Sequence, residues 1–484
     1  MNCPGRTKFA LACAAVAVLA VVARFCGCLN DLWLDEVWSL KLVGGLSSPW
    51  QVFTGVHLDN NHYLNGLWLY WIGPHRAALL CRAPSVVAGA GTVIMAGLIG
   101  LRRSRASAFF GMVLTGFSYA LILYGSEARG YAEAVLFSYL SFYALELYLE
   151  RPRWQMALLY AASAVLGLAS HLVFTGVLLA LTTGSYWRMK TGGCSGKEII
   201  RRLAACQGAP LLFLIWLYAA DAGRMAEGGG LAQHSILGTY GAALAWTLGA
   251  PASGAMTVLF CGVSLAAMGA GLWLRRREGG GAAVFFAGVI VVFPILLAVL
   301  RHAEVIYIRY FIVSMAFLLL LAGDVLAWLW QGGRAGKWVC GGCMAVYLTV
   351  NGGALAELRQ WGRGHYREAV AGMAALTKGD VITVDSDNDF QAPLMLDYYA
   401  GAAGEKKVEY RFKKDGPMAE WLICQKDSMD DPAPPHARWV ECAGVPYEWV
   451  ASYPTAPLSG LRWYLYQKRP GATGHFGPNG SISK

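Results

Sequence analysis

A cluster of carboxylates follows the first apolar run of the chain. The stretch LNDLWLDEVWSL, residues 29–40, holds Asp31, Asp35 and Glu36 among tryptophans and leucines. On a helix, Asp31, Asp35 and Ser39 would share one face. A carboxylate can take a proton from a hydroxyl group, and repulsion between adjacent carboxylates raises the pKa of one of them. We therefore expect a helix at a membrane surface that directs Asp35 into a cavity as a general base. Glu36 would orient Asp35 or bind the molecule whose hydroxyl loses its proton.

Three more polar stretches lie beside apolar runs: HLDNNHYLNGLWLYWIG (57–73), LYGSEARGYAE (123–133) and RHAEVIYIRYF (301–311). Ionisable side chains at membrane depth usually face a cavity and pair with one another, so they are candidates for function. Arginine is suited to bidentate contacts with carboxylate and phosphate groups, and positive charge stabilises an anion. The candidate binding residues are Asn61, His62, Arg82, Arg129, Arg301, His302 and Arg309, and Glu127 is a further catalytic candidate.

Each of these groups has a structural alternative. Asp35 and Glu36 would also suit a solvated loop or a helix cap. Glu127 and Arg129 would also suit an ion pair that caps two helices, and Arg309 would also suit an anchor at the membrane interface.

The composition is that of a membrane protein with several spans. The chain of 484 residues is 56% hydrophobic and only 14% charged, whereas soluble proteins carry about 25% charged residues. Apolar runs of roughly 16–22 residues, long enough to cross a bilayer, predict eleven spans. They lie near 8–28, 84–101, 107–125, 131–149, 155–171, 172–187, 203–220, 254–274, 282–300, 310–330 and 338–357. We expect Asp324, inside the tenth run, to pair locally, and we assign no role to His171 between two runs.

Lysine and arginine are concentrated at every second connection between the runs. The positive-inside rule places these connections and the N-terminus in the cytoplasm, and eleven spans then place residues 29–83 and the C-terminus outside. The net charge of +10 therefore reflects topology and predicts no nucleic-acid partner. The first run has the basic start of a signal peptide, but no small-residue cleavage site precedes RFCGC, so we expect an uncleaved first helix.

The composition changes after residue 358. The stretch YREAVAGMAALTKGDVITVDSD predicts a helix, a turn and a strand, and EWLICQ, ARWVEC and RWYLYQKR predict further strands. We therefore expect a transmembrane catalytic domain at 1–358, with interfacial helices in 29–83, and a small α/β domain at 359–484. In an oxidising compartment, Cys424 and Cys442 of the second domain would be able to form a disulfide.

Several of these motifs together resemble a known family. LDE after the first run, the histidine in DNNHYLNGL, YGSEARGYA after the third run and IRYF at a late run, with the soluble tail, resemble bacterial glycosyltransferase family 39 of the GT-C superfamily. Its members are relatives of protein O-mannosyltransferases and aminoarabinose lipid A transferases. The family often has His-Pro-Pro-Leu where this chain has His62, Tyr63 and Leu64.

The resemblance implies an α-helical, GT-C-like polytopic protein of the bacterial plasma membrane, in contact with membrane lipids. It also implies transfer of a sugar from a polyprenyl-phosphate carrier to an acceptor on the outer face. The acceptor (a glycan, a lipid or a protein) stays open.

Two further questions stay open at this point. Carboxylates around a sugar phosphate often hold Mg²⁺ or Mn²⁺, but no ligand set is legible in the sequence, so no metal ligand is assigned. A transporter or flippase of a lipid-linked sugar would need similar charges, but transporters tend to show internal repeats and broken helices in corresponding halves. No such repeat is evident, and the polar groups are concentrated on one side of the membrane, which favours an enzyme.

Overall fold

Two compact units make up the fold. The computed structural model describes residues 4–74, 76–226, 235–250, 254–278, 280–300, 306–411, 418–427, 437–469 and 482–483. Residues 1–28 and 42–353 form the first unit, and residues 29–41 and 354–484 form the second. The first unit is helical, and the second combines helices with a sheet.

Helices account for most of the described chain. In chain order they are α1 (Pro4–Gly27), α2 (Leu34–Gly44), α3 (Tyr63–Ile72), α4 (Ala78–Leu101), α5 (Arg105–Phe117), α6 (Tyr119–Tyr124), α7 (Tyr131–Glu150), α8 (Trp154–Ser170), α9 (Phe174–Thr191), α10 (Gly196–Ala220), α11 (Ile236–Thr247), α12 (Gly254–Arg277), α13 (Gly281–Ala287), α14 (Phe293–Leu300), α15 (Ile312–Gln331), α16 (Arg334–Trp361), α17 (Tyr366–Leu376) and α18 (Gln391–Tyr399). Short 3-10 turns lie at Pro49–Val52, Ala222–Arg224, Ile308–Phe311 and Ala400–Ala403, and a π-helical turn, Gly288–Val292, joins α13 to α14.

Seven helical stretches among the described residues are long and apolar enough to cross a membrane. They are Arg6–Gly27, Ala78–Leu101, Tyr131–Glu150, Gly196–Arg224, Gly254–Arg277, Ile308–Gln331 and Arg334–Leu376. The helix α8 and the stretch Gly281–Leu297 are apolar but shorter. The predicted polytopic helical architecture is confirmed, and the number of eleven spans stays a prediction.

The predicted run 107–125 forms two helices instead of one. Ser118 ends α5 and caps α6, because its hydroxyl accepts the backbone N–H of Leu121 at 3.4 Å. The N–H of Tyr119, which the break leaves without a helical partner, donates to Oδ1 of Asn351 at 2.7 Å. The break positions α6 so that it leads into the loop 125–130 and then into α7.

A buried group of ion pairs joins α12 and α15 to the residues just before α5. Asp324 of α15 lies 3.2 Å from Nε of Arg103 and 2.6 Å from Nη2 of Arg275. Two cations offset the cost of burying one carboxylate. The local pairing expected for Asp324 is confirmed.

The second unit contains a mixed sheet of seven strands in the order β2-β1-β3-β6-β5-β4-β7. The strands are β1 (Val381–Ser386), β2 (Lys407–Tyr410), β3 (Trp421–Asp427), β4 (Trp439–Cys442), β5 (Val445–Tyr453), β6 (Leu461–Lys468) and β7 (Ile482–Ser483). Strand β1 pairs in parallel with β2 and β3, and the other pairings are antiparallel. The predicted small α/β domain is thus confirmed, with α17 and β1 where the helix–turn–strand pattern places them.

Both cysteines of the sheet domain lie in one apolar cluster. Cys442 of β4 is buried there with Leu422 and Tyr447, and Cys424 of β3 packs against the same cluster. Strands β6 and β5 lie between β3 and β4 in the sheet. Both cysteine side chains therefore contribute to the apolar packing of the sheet domain.

Residues 29–41 belong to the second unit, which differs from the predicted boundary between 1–358 and 359–484. The hydroxyl of Tyr399 donates to the carbonyl of Leu32 at 2.8 Å. The backbone N–H of Arg367, in the first turn of α17, donates to Oδ2 of Asp31 at 2.8 Å. The first N–H groups of a helix have no helical acceptor, so a carboxylate at this position stabilises α17.

Candidate active site

The carboxylate pair lies on α2 in the second unit. Because α2 begins at Leu34, Asp31 precedes it, and the predicted helical face of Asp31, Asp35 and Ser39 is wrong at its first member. The hydroxyl of Ser39 donates to the backbone carbonyl of Asp35 at 2.8 Å, and the Asp35 side chain is half-buried. Glu36 is buried, and its Oε2 accepts the N–H of Trp33 just before the helix at 3.1 Å. Glu36 therefore caps the start of α2, as its structural alternative expects.

In the first unit, the peptide between Arg129 and Gly130 is held at both of its polar atoms. The hydroxyl of Ser85 on α4 donates to the carbonyl oxygen of Arg129 at 3.0 Å. The N–H of Gly130 donates to Nδ1 of His62 at 2.7 Å. One residue earlier, Nδ2 of Asn65 donates to the carbonyl of Ala128 at 2.7 Å. The loop 125–130 is therefore fixed by α3, α4 and the residue before α3.

Gly130 is also packed against the end of α8. A Cβ atom added to Gly130 would lie 2.0 Å from the carbonyl oxygen of Ser170 and 3.2 Å from Cβ of His62. Only glycine fits this close approach of two backbones.

Aromatic rings surround His62. Its ring centroid lies 4.5 Å from that of His171 and 5.1 Å from that of Tyr131. His171 also contacts Tyr131 at 4.7 Å and Tyr310 at 6.4 Å between centroids. The hydroxyl of Tyr131 is buried and finds no hydrogen-bond partner among the described residues. These rings bring together segments from four parts of the first unit.

The tautomer of His62 follows from its contact with Gly130. Nδ1 accepts a hydrogen bond, and a neutral imidazole has only one acceptor nitrogen, so Nε2 carries the proton. Nη2 of Arg129 lies 3.2 Å from that Nε2. Two hydrogen-bond donors therefore stand side by side, and neither can accept from the other.

Burial lowers the pKa of His62 well below its ordinary value, and the charges of Arg129, His171 and Arg309 lower it further. The ring is therefore neutral at neutral pH, in agreement with its role as an acceptor. The same electrostatic contacts place Arg309 in the group around His62.

Glu127 and Arg129 are both buried in the loop 125–130. The guanidinium of Arg129 lies 5.3 Å from the ring centroid of Tyr131, and that of Arg309 lies 4.2 Å from the ring of Tyr307. Glu127 and Arg309 both act electrostatically on Tyr131. The structure thus brings His62, Glu127, Arg129 and Arg309 into one group, although their chemical roles stay predictions.

Two other predicted binding residues make contacts that fix the fold. Arg82 is fully buried and its Nη1 donates to the carbonyl of Cys28 at 2.8 Å. Nδ2 of Asn61 donates to the carbonyl of Val52 at 2.7 Å. Arg301 and His302 lie outside the described residues.

Asp221, at the end of α10, anchors the segment that carries His62. Its Oδ1 accepts the backbone N–H of His57 at 3.0 Å and lies 2.6 Å from Nδ1 of the same residue. Its Oδ2 accepts from the hydroxyl of Tyr63 at 2.9 Å and from Nδ2 of Asn61 at 3.3 Å. His57 has a positive φ of 47°, which non-glycine residues rarely adopt, so these bonds hold an otherwise unfavourable backbone.

Sequence reasoning did not assign His171, Tyr131 or Asp221 to the site. A signal for two of them exists in the topology. His171 and Asp221 follow the fifth and seventh predicted spans, so the alternation of connections places them on the same side as residues 29–83. Tyr131 stands in the YGSEARGYA motif but has no property that distinguishes it from other interfacial tyrosines.

A metal has no evident site among the described residues. No group of three or more histidine, cysteine, aspartate or glutamate side chains is placed there to hold one. Whether a sugar-phosphate site of this chain binds Mg²⁺ or Mn²⁺ stays a prediction. We therefore derive no step through a metal.

No family model and no curated protein matches the chain. Solved structures do match it. ArnT from Cupriavidus metallidurans bound to undecaprenyl phosphate aligns over 96% of this chain and 98% of its own, with a TM-score of 0.51 and 12% identity. The chain shares the fold of this ArnT. The apo form of the same ArnT aligns over 87% of this chain and 93% of its own, with a TM-score of 0.50 and 12% identity.

A third solved structure shares this fold. The oligosaccharyltransferase from Archaeoglobus fulgidus, tethered to an acceptor peptide, aligns over 83% of this chain and 63% of its own, with a TM-score of 0.50 and 10% identity. At such low identity the likeness concerns the fold alone. The fold implied by the GT-C resemblance is confirmed, whereas the finer resemblance to family 39 stays a prediction.

Proposed function

We propose that this protein is a membrane glycosyltransferase that takes a sugar from a polyprenyl-phosphate carrier. The observation that carries the proposal is the pair of donors formed by His62 Nε2 and Arg129 Nη2, 3.2 Å apart. An anionic oxygen can accept from both at once, and a phosphate supplies several such oxygens. The likeness in fold to ArnT, solved with undecaprenyl phosphate, supports a lipid phosphate as the anion.

Arg309 strengthens the case for an anion. Its charge, like that of Arg129, acts on the neutral ring of His62, so the positive charges of two guanidinium groups lie near the same imidazole. Positive charge placed in advance stabilises the negative charge that develops on a phosphate as it leaves. A phosphate is already an acidic leaving group, and it therefore needs no strong general acid.

We further propose Asp35 as the general base and Glu36 as the group that orients it. The acceptor oxygen forms a bond to the anomeric carbon, and the bond from that carbon to the phosphate oxygen breaks. The electron pair leaves with the phosphate, and the acceptor proton passes to Asp35. Glu127 is proposed to hold the sugar, because it is buried in the same loop as Arg129.

The site is proposed to face the outer side of the bacterial plasma membrane. The basic connections favour this orientation, since they lie at the other end of the helices that carry the site. Arg103 and Arg275 at that other end neutralise Asp324. The acceptor is then a hydroxyl or phosphate of a glycan, a lipid or a protein that is exposed outside.

The test is a transfer assay with the purified full chain in proteoliposomes. A panel of radiolabelled polyprenyl-phosphate hexoses and pentoses is supplied with membrane extracts as acceptors, and the labelled product is identified. We expect label to move from one polyprenyl-phosphate carrier to a different acceptor molecule, and Arg129→Gln to abolish this transfer. Movement of intact sugar-lipid between leaflets without transfer would instead establish a flippase and overturn the proposal.

A further inference from the structure

A buried carboxyl group stands behind the candidate site. Glu133 lies in the first turn of α7, and its Oε1 is 3.3 Å from the hydroxyl oxygen of Ser85. The same hydroxyl lies 3.0 Å from the carbonyl oxygen of Arg129. All three groups are buried. Ser85 therefore stands between the Glu133 carboxyl group and the peptide that carries Arg129.

The hydrogen count of this arrangement constrains Glu133. A serine hydroxyl has one proton, and a carbonyl oxygen can only accept. If the Ser85 proton goes to the Arg129 carbonyl, the second contact of Ser85 requires a donor, and a carboxyl group donates only when it is protonated. The Arg129 carbonyl then accepts from Ser85, and the Ser85 oxygen accepts from the protonated carboxyl group of Glu133.

The surroundings of Glu133 also disfavour a negative charge. Its Oε2 is buried and meets no hydrogen-bond partner among the described residues. No ion pair joins it to a described residue, in contrast to Glu146 on the same helix, which lies 2.9 Å from Nη1 of Arg188. An unpaired carboxylate at membrane depth is costly, whereas a neutral carboxylic acid is much less so.

We infer that Glu133 is a positioning residue, held as a neutral carboxylic acid that donates to Ser85 and so fixes the Arg129–Gly130 peptide. The carbonyl of this peptide accepts from Ser85, and its N–H donates to His62. Glu133 thus acts on the relative placement of the two donors, Arg129 and His62, without touching a ligand. The inference rests on the proposed function for its effect on transfer, but not for the protonation state of Glu133.

The first experiment measures transfer by Glu133→Gln, Glu133→Ala and Ser85→Ala. Glutamine keeps a donor and carries no charge, so Glu133→Gln retains near wild-type kcat/KM. The other two variants free the peptide and lower kcat/KM by about 10²-fold, the typical cost of misplacing a binding group by about 1 Å. Glu146→Gln is the matched control and leaves transfer unchanged. Loss of activity in Glu133→Gln equal to that in Glu133→Ala would mean that the negative charge is required, and would overturn the inference.

The second experiment reads the protonation state directly and needs no activity. Infrared spectra of the wild-type protein at neutral pH are compared with those of Glu133→Gln and Glu146→Gln. We expect the band of a protonated carboxylic acid in the wild type, its loss in Glu133→Gln and its persistence in Glu146→Gln. A wild-type spectrum without a band assignable to Glu133 would overturn the inference even if transfer is established. The band would persist even if the protein proves not to be a transferase, so the two failures are distinguishable.

Discussion

The N–H of Gly130 donates to Nδ1 of His62 across 2.7 Å, and this single bond determines which nitrogen of the imidazole carries the proton. An exposed histidine exchanges between two neutral tautomers, whereas this bond holds His62 in the one with the hydrogen on Nε2. Since Nη2 of Arg129 stands beside that nitrogen, the site offers two donors at a defined spacing.

Gly130→Ala should disrupt the site. The new Cβ atom would lie 2.0 Å from the carbonyl oxygen of Ser170, so backbone must shift by a distance that moves Arg129 and His62. We expect a loss of transfer of about 10²-fold and a lower melting temperature. Gly262→Ala on α12 is the control, because no atom lies within 4 Å of its added Cβ. A Gly130→Ala protein as active as Gly262→Ala would contradict the close packing described here.

His62 should make stability depend on pH in one direction. Its pKa is lowered in the folded state, so below the unfolded value of about 6.5 the unfolded chain binds a proton that the folded protein does not. The contribution of His62 is therefore fully present above about pH 6.5 and is lost as the pH falls. Melting curves of the wild type and of His62→Gln in detergent measure this difference. Equal pH dependence in both proteins would rule out a neutral His62.

Arg309→Lys should weaken binding of the carrier although it keeps the charge. Lysine lacks the planar fork of donors, so at least one charge-assisted hydrogen bond of about 1.5 kcal/mol is lost, equivalent to about tenfold in Kd. Binding of undecaprenyl phosphate to the purified protein measures the effect. Arg188→Lys, whose arginine pairs with Glu146 at the other end of α7, should bind normally. Unchanged affinity in Arg309→Lys would make Arg309 a membrane anchor instead.

Asp35→Asn should lower the transfer rate by about 10²–10⁴-fold, because the amide cannot take the acceptor proton. Asp397→Asn, which changes an exposed carboxylate of α18, is the control and should be as active as wild type. Asp31→Asn should also keep transfer, but it should cost about 1 kcal/mol of stability because Asp31 accepts from the first turn of α17. Near wild-type transfer by Asp35→Asn would move the role of base to Glu36.

The carboxyl end of the chain should lie outside the cytoplasm. An alkaline phosphatase fused after Lys484 is then active, and the same enzyme fused in the basic connection at residues 151–153 is inactive, because the positive-inside rule keeps that connection in the cytoplasm. A reporter that functions only in the cytoplasm should give the opposite result. Activity of that second reporter at Lys484 would overturn the topology.

Periodicity and composition predicted the local elements well. The run at 310–330 became α15, and RWYLYQKR, residues 462–469, became all of β6 except its first residue. These elements follow from patterns within a few residues of one another, which the sequence displays directly. The start of α2 was missed, since no local pattern separates Asp31 from Asp35. Asp31 is held instead by Arg367, a residue far along the chain.

The group around His62 contains charged residues that the sequence singled out and supporting residues that it did not. Glu127, Arg129 and Arg309 are conspicuous because ionisable groups are rare beside apolar runs. Ser85 and His171 are ordinary residues for their positions, and they become informative only through partners on other helices. Tertiary contact of this kind has no trace in a single sequence.

The double anchoring of the Arg129–Gly130 peptide also bears on how such a site can diversify. The hydrogen bonds of Ser85 and His62 to this peptide involve only main-chain atoms of residues 129 and 130. Exchange of side chain 129 alone would present a different chemical group from an unchanged scaffold. Position 129 is therefore the place at which selection, natural or in the laboratory, could alter what the site accepts while the surrounding architecture is inherited intact.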